Sequence, residues 1–130
     1  MGKKLVEYAK DIVGQYALHG FEGNTAGKVS AALLTEQGNI YTGINIDVAC
    51  SLGFCAEHSA IAEMLKNRET HVVSIVAVRD DGAILPPCGR CREMLMQINF
   101  SNADARVIVA ENKSVLLREL LPFHWNDIKD

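Results

Sequence analysis

Long cationic runs are missing from this sequence. No stretch of Lys or Arg exceeds two, and the 130 residues carry a formal net charge of −3. A protein that grips a phosphate backbone usually shows a basic face, so no nucleic-acid partner is expected. Long apolar runs are missing too, and nothing approaches the roughly 20 residues that span a bilayer. The opening Met1-Gly2-Lys3-Lys4-Leu5-Val6-Glu7-Tyr8 turns polar before the apolar core of an export signal can form. A cytoplasmic location with no membrane partner is therefore expected. Repeats, low-complexity tracts and linkers are absent, so residues 1–130 are read as a single domain. Aromatics are few, at 6%, but apolar residues make up 48%, enough for a core.

What is present follows two periods. Leu5, Tyr8, Ala9, Ile12, Val13 and Tyr16 recur at helical spacing, which predicts a helix over about residues 3–18. Residues 19–28 hold three glycines and read as a loop. Val29 to Thr35, a turn at Glu36-Gln37-Gly38-Asn39, and Ile40 to Ile46 predict a hairpin. A helix is expected from Ala56 to about Asn67, then a strand from Val72 to Val78 buried on both faces. Pro86-Pro87 precedes a helix from about Gly89 to Ile98. Val107 to Ala110 reads as a strand, and Leu116 to Leu121 as a short helix or a strand running into one. This order predicts an α/β fold, one mixed sheet with helices on both sides.

The chemistry is concentrated in Cys55-Ala56-Glu57 and Pro87-Cys88-Gly89-Arg90-Cys91. Disulfides are rare in the cytosol, where closely spaced cysteines more often bind metal or react. Cys55 opens one predicted helix, while Cys88 and Cys91 open another. Residues three apart share a helical face, so all three sulfurs can meet one ion. A structural zinc site wants a fourth protein ligand, and no fourth Cys or His stands at the usual spacing. The pattern therefore predicts a catalytic zinc with an open position, held by Cys55, Cys88 and Cys91. A redox pair and half of a structural zinc knuckle are the competing readings. Cys50 is read as a small half-buried apolar residue.

Three thiolates on a divalent ion leave a shell charge of about −1. Two helix N-termini face that shell, each equivalent to roughly half a positive charge. His58, Arg90 and Arg92 stand beside the ligands in sequence, and at least one is expected to hydrogen-bond a ligand sulfur. Zinc acidifies water, and Glu57 is the expected general base that takes its proton. The same carboxylate then protonates a ring nitrogen and the departing ammonia. That is the requirement of a zinc-dependent base deaminase.

These residues resemble the cytidine deaminase family. Val29-Ser30-Ala31-Ala32-Leu33 resembles its first strand. Thr42-Gly43-Ile44-Asn45-Ile46-Asp47 resembles its Gly-x-Asn-x-Glu segment, and Glu119-Leu120-Leu121-Pro122 its C-terminal Glu-Leu-Leu-Pro. The resemblance runs from about Val29 to Trp125. It implies a three-layer α/β/α sandwich with a mixed five-stranded sheet and one zinc per subunit. It also implies hydrolytic deamination of a free cytosine nucleoside, cytidine or deoxycytidine, by a homotetramer or a homodimer. Asn45, Asp47 and Ala56 become the substrate-binding positions.

The chain departs from the family at four places. Asp47 replaces a glutamate and is one methylene shorter. Gly27 or Lys28 stands where an aromatic is common, and His58 where an arginine is common. Arg90 replaces a small residue. Pro-Cys-Gly-Arg-Cys-Arg and Arg118-Glu119-Leu120-Leu121-Pro122 resemble blasticidin S deaminase, which acts on a cytosine nucleoside with a carboxylated sugar. This second substrate reading would have Arg90 meet a carboxylate; otherwise Arg90 serves the zinc thiolates. Trp125 would either pack the tail or close an active site.

Overall fold

The computed structural model describes residues 2–126. Helix α1 (Gly2–Lys10) leads through β1 (Tyr16–Ala17) to the hairpin of β2 (Thr25–Thr35) and β3 (Ile40–Asp47). Then come α2 (Ala56–Lys66), β4 (Val72–Arg79), β5 (Ile84–Leu85) and α3 (Gly89–Ile98). A 3-10 turn (Phe100–Asp104) precedes β6 (Arg106–Ala110) and β7 (Lys113–Leu116), and a second one (Leu117–Leu120) follows.

The sheet has seven strands rather than the expected five. The difference is two strands of two residues each: β1 extends the pairing at the start of β2, and β5 lies along the end of β4. The longer strands run in the order β3-β2-β4-β6-β7. Among the described residues only β4 and β6 pair in parallel; the other pairs are antiparallel.

Strand alternation sends successive side chains to opposite layers. Ala31, Leu33, Ile75, Ala77 and Val107 pack against Ala60, Ile61 and Met64 of α2 and Leu95 of α3. Ala32, Leu34, Val76, Val78 and Ile108 pack against Leu5 and Ala9 of α1. One sheet is thus covered on both faces, as the apolar runs predict.

This topology places the two cysteine-bearing helices. β3 and β4 are each antiparallel to β2, so they point the same way. α2 leaves the carboxyl end of β3, and α3 follows the carboxyl end of β4 on the way to parallel β6. Both helices therefore start at the same edge of the sheet, where open α/β sheets place their ligands. Asn102 fixes the far end of α3. Its amide accepts from Val72 N (2.7 Å) and donates to the carbonyls of Thr70 and Leu95.

Several expected boundaries move. The first helix ends at Lys10 rather than near 18, because Gly14 turns to bond Gly27 and Tyr16–Ala17 pairs as a strand. β2 begins at Thr25, inside the expected glycine loop. Gly27 sits there at φ +86°, beside a break in register between Ala26 and Ser30. A Cβ on Gly27 would lie 2.3 Å from the carbonyl oxygen of Gly14, so no aromatic fits there. β4 runs on to Arg79 and leaves Val73 partly exposed rather than buried on both faces. The expected element at 116–121 resolves into the end of β7 and a 3-10 turn. Cys50 is exposed, not half-buried.

Gly43 lets β3 pass directly under α2. A Cβ there would lie 2.4 Å from Ala60 N and 2.5 Å from Ser59 Cβ. Gly43→Ala must push α2 outward and carry Cys55 with it. Overpacking of this kind costs about 1–3 kcal/mol, so a clear fall in thermal midpoint is expected by calorimetry. An unchanged midpoint would contradict this packing.

Candidate metal centre

Cys55 is the N-cap of α2 and Cys88 the N-cap of α3; both have extended backbone and neither side chain caps its helix. Each sulfur is therefore spared for another partner. Cys91 lies in the first turn of α3, on the same face as Cys88. The Sγ atoms of Cys55 and Cys88 are 3.3 Å apart, those of Cys88 and Cys91 3.6 Å, and all three lie within 4.8 Å. Sulfurs bound to one tetrahedral zinc at 2.3 Å sit about 3.8 Å apart. All three cysteines are free thiols, much farther apart than a disulfide's bond length.

The sulfurs differ in environment. Burial, with the Cys88 hydrogen bond, pushes the Cys55 thiol up. Burial pushes Cys91 up strongly, aided by the charges of Glu57 and Cys55. Cys88 is also raised by burial, but N–H groups of Cys91 and Arg90 and the neighbouring thiols outweigh this and hold it low. Three thiolates cannot gather here unaided. A divalent cation would supply the missing charge, so the donor set fits zinc.

Glu57 is buried, and its Oε1 lies 3.7 Å from Cys91 Sγ. Burial raises its pKa, while its own backbone N–H and Cys91 only partly oppose this. Ala56, fully buried, precedes it at the first helical position of α2.

The three neighbouring bases separate cleanly. His58 Nδ1 lies 3.5 Å from Cys91 Sγ, and its buried Nε2 has no hydrogen-bond partner. Its ring stacks on Phe54 at 6.1 Å between centroids. Burial and the nearby Arg90 charge lower its pKa, so the neutral ring can present Nδ1–H to the sulfur. Arg92 instead donates to the carbonyl oxygens of Pro87 (2.8 Å) and Leu120 (3.3 Å). Arg90 is exposed and lines the adjacent cavity.

That cavity has a volume of about 490 Å³. Asn45 and Asp47 border it with Cys55, Ala56, Glu57 and Cys88. Asn45 also accepts from Val29 N (2.9 Å) through its Oδ1, which closes the break in β2. Sequence reasoning missed the wall formed by Ser51, Gly53 and Phe54. This loop is closed at its neck by paired backbone bonds between Ile46 and Phe54, both 3.0 Å. Phe54, directly before Cys55, was the available signal. Trp125 does not border the cavity. Its indole N–H donates to Glu93 on α3 (2.8 Å), beside the His124–Glu93 contact.

The family model for the cytidine and deoxycytidylate deaminase zinc-binding region matches residues 4–111. The cytidine deaminase of Halalkalibacterium halodurans is 33% identical over 110 residues, 79% of this chain and 82% of that protein. The crystal structure of cytidine deaminase from Mycobacterium tuberculosis superposes with a TM-score of 0.76 at 26% identity, covering 94% of each chain. That of the Bacillus anthracis cytidine deaminase gives 0.73 at 25% identity, covering 96% of this chain and 89% of the other. Fold, cysteine cluster and sequence agree: this chain is an enzyme of the cytidine and deoxycytidylate deaminase family.

Proposed function

We propose that this enzyme hydrolytically deaminates a free cytosine nucleoside, cytidine or deoxycytidine, to the uridine product and ammonia. The observation that carries this reading is the Glu57 carboxylate, buried beside a cluster of three thiols and bordering an open cavity. One zinc per subunit, held by Cys55, Cys88 and Cys91, would supply a water acidified toward neutral pH. Glu57 does the proton work. It removes a proton from the attacking water and gives it to the ring nitrogen next to C4; it then takes the proton of the new C4 hydroxyl and passes it to the amine, so that the C–N bond breaks and ammonia leaves as the C4 carbonyl forms. A carboxylate raised by burial suits both directions of transfer. His58 holds Cys91 through Nδ1–H and so orients a ligand of the metal. Asn45 offers its amide Nδ2, and Asp47 its exposed carboxylate, to the sugar hydroxyls; the buried backbone of Ala56 borders the base.

The single domain of residues 1–130 acts as a cytoplasmic homotetramer. Exposed Phe100, Phe123 and Trp125 support association, since apolar surface of this kind marks contact sites. Light scattering is expected to give four chains per particle, a homodimer being the smaller alternative. A monomer would remove this part of the reading.

Glu57→Gln should keep zinc and lose turnover by about 10²–10⁴-fold, the usual worth of a general base. Cys91→Ser should lose the zinc itself. Zinc per chain by mass spectrometry and ammonia release from cytidine check both; near-normal turnover in Glu57→Gln would sink the assignment.

The pH profile tests the buried carboxylate. Its raised pKa means that the base form is lost as pH falls, at a higher pH than the ordinary glutamate value of 4.5. The acid limb of kcat/KM should therefore lie above 4.5, with zinc measured at each pH. An acid limb below 4.5 would contradict a desolvated Glu57.

A further inference from the structure

We infer that Phe54 is a positioning residue: it holds the His58 ring against Cys91 and so ties the wall of the cavity to a ligand of the metal. This inference rests on the proposed zinc site and not on the identity of the substrate. Of the three bases beside the ligands, His58 is the one whose side chain meets a ligand sulfur among the described residues, with Nδ1 3.5 Å from Cys91 Sγ. Arg92 is committed to two backbone carbonyls. One contact of that length is weak restraint for a ring. The last torsion of a histidine is broad and roughly two-fold, and a half-turn would put a ring carbon where Nδ1 stands. The other nitrogen gives no anchor, because Nε2 is buried with no hydrogen-bond partner among the described residues.

The plane of the imidazole is set from outside, by Phe54. The two rings stack with centroids 6.1 Å apart and planes 18° apart. Within that plane the sulfur favours Nδ1–H over a carbon. The chain builds this pair locally. Phe54 directly precedes the N-cap Cys55, and His58 lies four residues on, in the first turn of α2. An apolar residue just before an N-cap commonly packs on the helix it introduces. The support under Phe54 is rigid as well. Its backbone exchanges two 3.0 Å bonds with Ile46, and a Cβ on the preceding Gly53 would lie 2.3 Å from the Ile46 carbonyl oxygen. Phe54 also borders the cavity beside Asn45, Cys55 and Glu57. A ligand filling the cavity therefore meets the residue that steadies His58.

The test measures zinc affinity by chelator competition for the unaltered full chain, for Phe54→Leu, Phe54→Met, Phe54→Tyr and His58→Ala, and for Phe54→Leu combined with His58→Ala. The first two substitutions keep an apolar side chain and the backbone pairing but remove the flat ring, so either suffices if the other does not fold. His58→Ala should lower zinc affinity about 10–100-fold, the usual worth of a partner to a metal ligand. Phe54→Leu and Phe54→Met should each lower it about tenfold. Phe54→Tyr keeps the ring and should stay within about twofold of the unaltered chain, and the combined variant within about twofold of His58→Ala alone, because effects that pass through one residue do not add. Unchanged affinity in the two ringless variants overturns the inference, even if KM for cytidine rises, since Phe54 would then be a wall only. Losses that multiply in the combined variant, an unchanged affinity in His58→Ala, or an equal loss in Phe54→Tyr overturn it too. If no cytosine nucleoside releases ammonia, the deaminase reading fails, yet the zinc affinities still decide the role of Phe54.

Discussion

The mutual repulsion that three cysteine sulfurs and a carboxylate would feel once ionised is the constraint that the rest of this structure accommodates. Cys55, Cys88 and Cys91 lie within 4.8 Å, and Glu57 is a further neighbour of Cys91. Burial makes each negative charge harder to form. Everything that offsets the charge converges from different directions. Two helix N-termini point at the cluster, because β3 and β4 run the same way and their following helices begin at one edge. His58 Nδ1 lies 3.5 Å from the most buried sulfur and, in its Nδ1–H tautomer, can donate to it. A divalent cation would complete the balance, which would link metal content to the position of Glu57.

The scaffold keeps this arrangement narrow. Gly43 lets α2 press on β3, so Cys55 cannot drift outward without moving the sheet contact. Asn102 ties α3 to the start of β4 with three hydrogen bonds. Glu93 holds His124 and Trp125 against α3. The tail therefore braces the helix that supplies two sulfurs, and Trp125 acts within this chain as a fastening rather than as a wall of the cavity.

Much of the site was legible in the sequence because its signals are local. Cys-x-Glu and Pro-Cys-x-x-Cys each open a helix, and α3 spans the expected residues 89–98. What was not legible depended on contacts between distant segments. The apolar period of the first helix continues through Val13 and Tyr16, but pairing with β2 overrides it. Gly27 reads as a loop residue, yet it serves a strand whose bulge needs φ near +86° and no Cβ. Asn45 and Asp47 could have been mere loop formers; the structure sets both on the cavity wall. The tasks of His58, Arg90 and Arg92 look interchangeable in sequence. They part only once α2, α3 and the C-terminal turn are packed together.

Zinc-edge X-ray absorption on the full chain tests the central claim most directly. The account predicts three sulfur neighbours at about 2.3 Å and one lighter neighbour around each zinc. Four sulfurs, or a metal without sulfur neighbours, would contradict it.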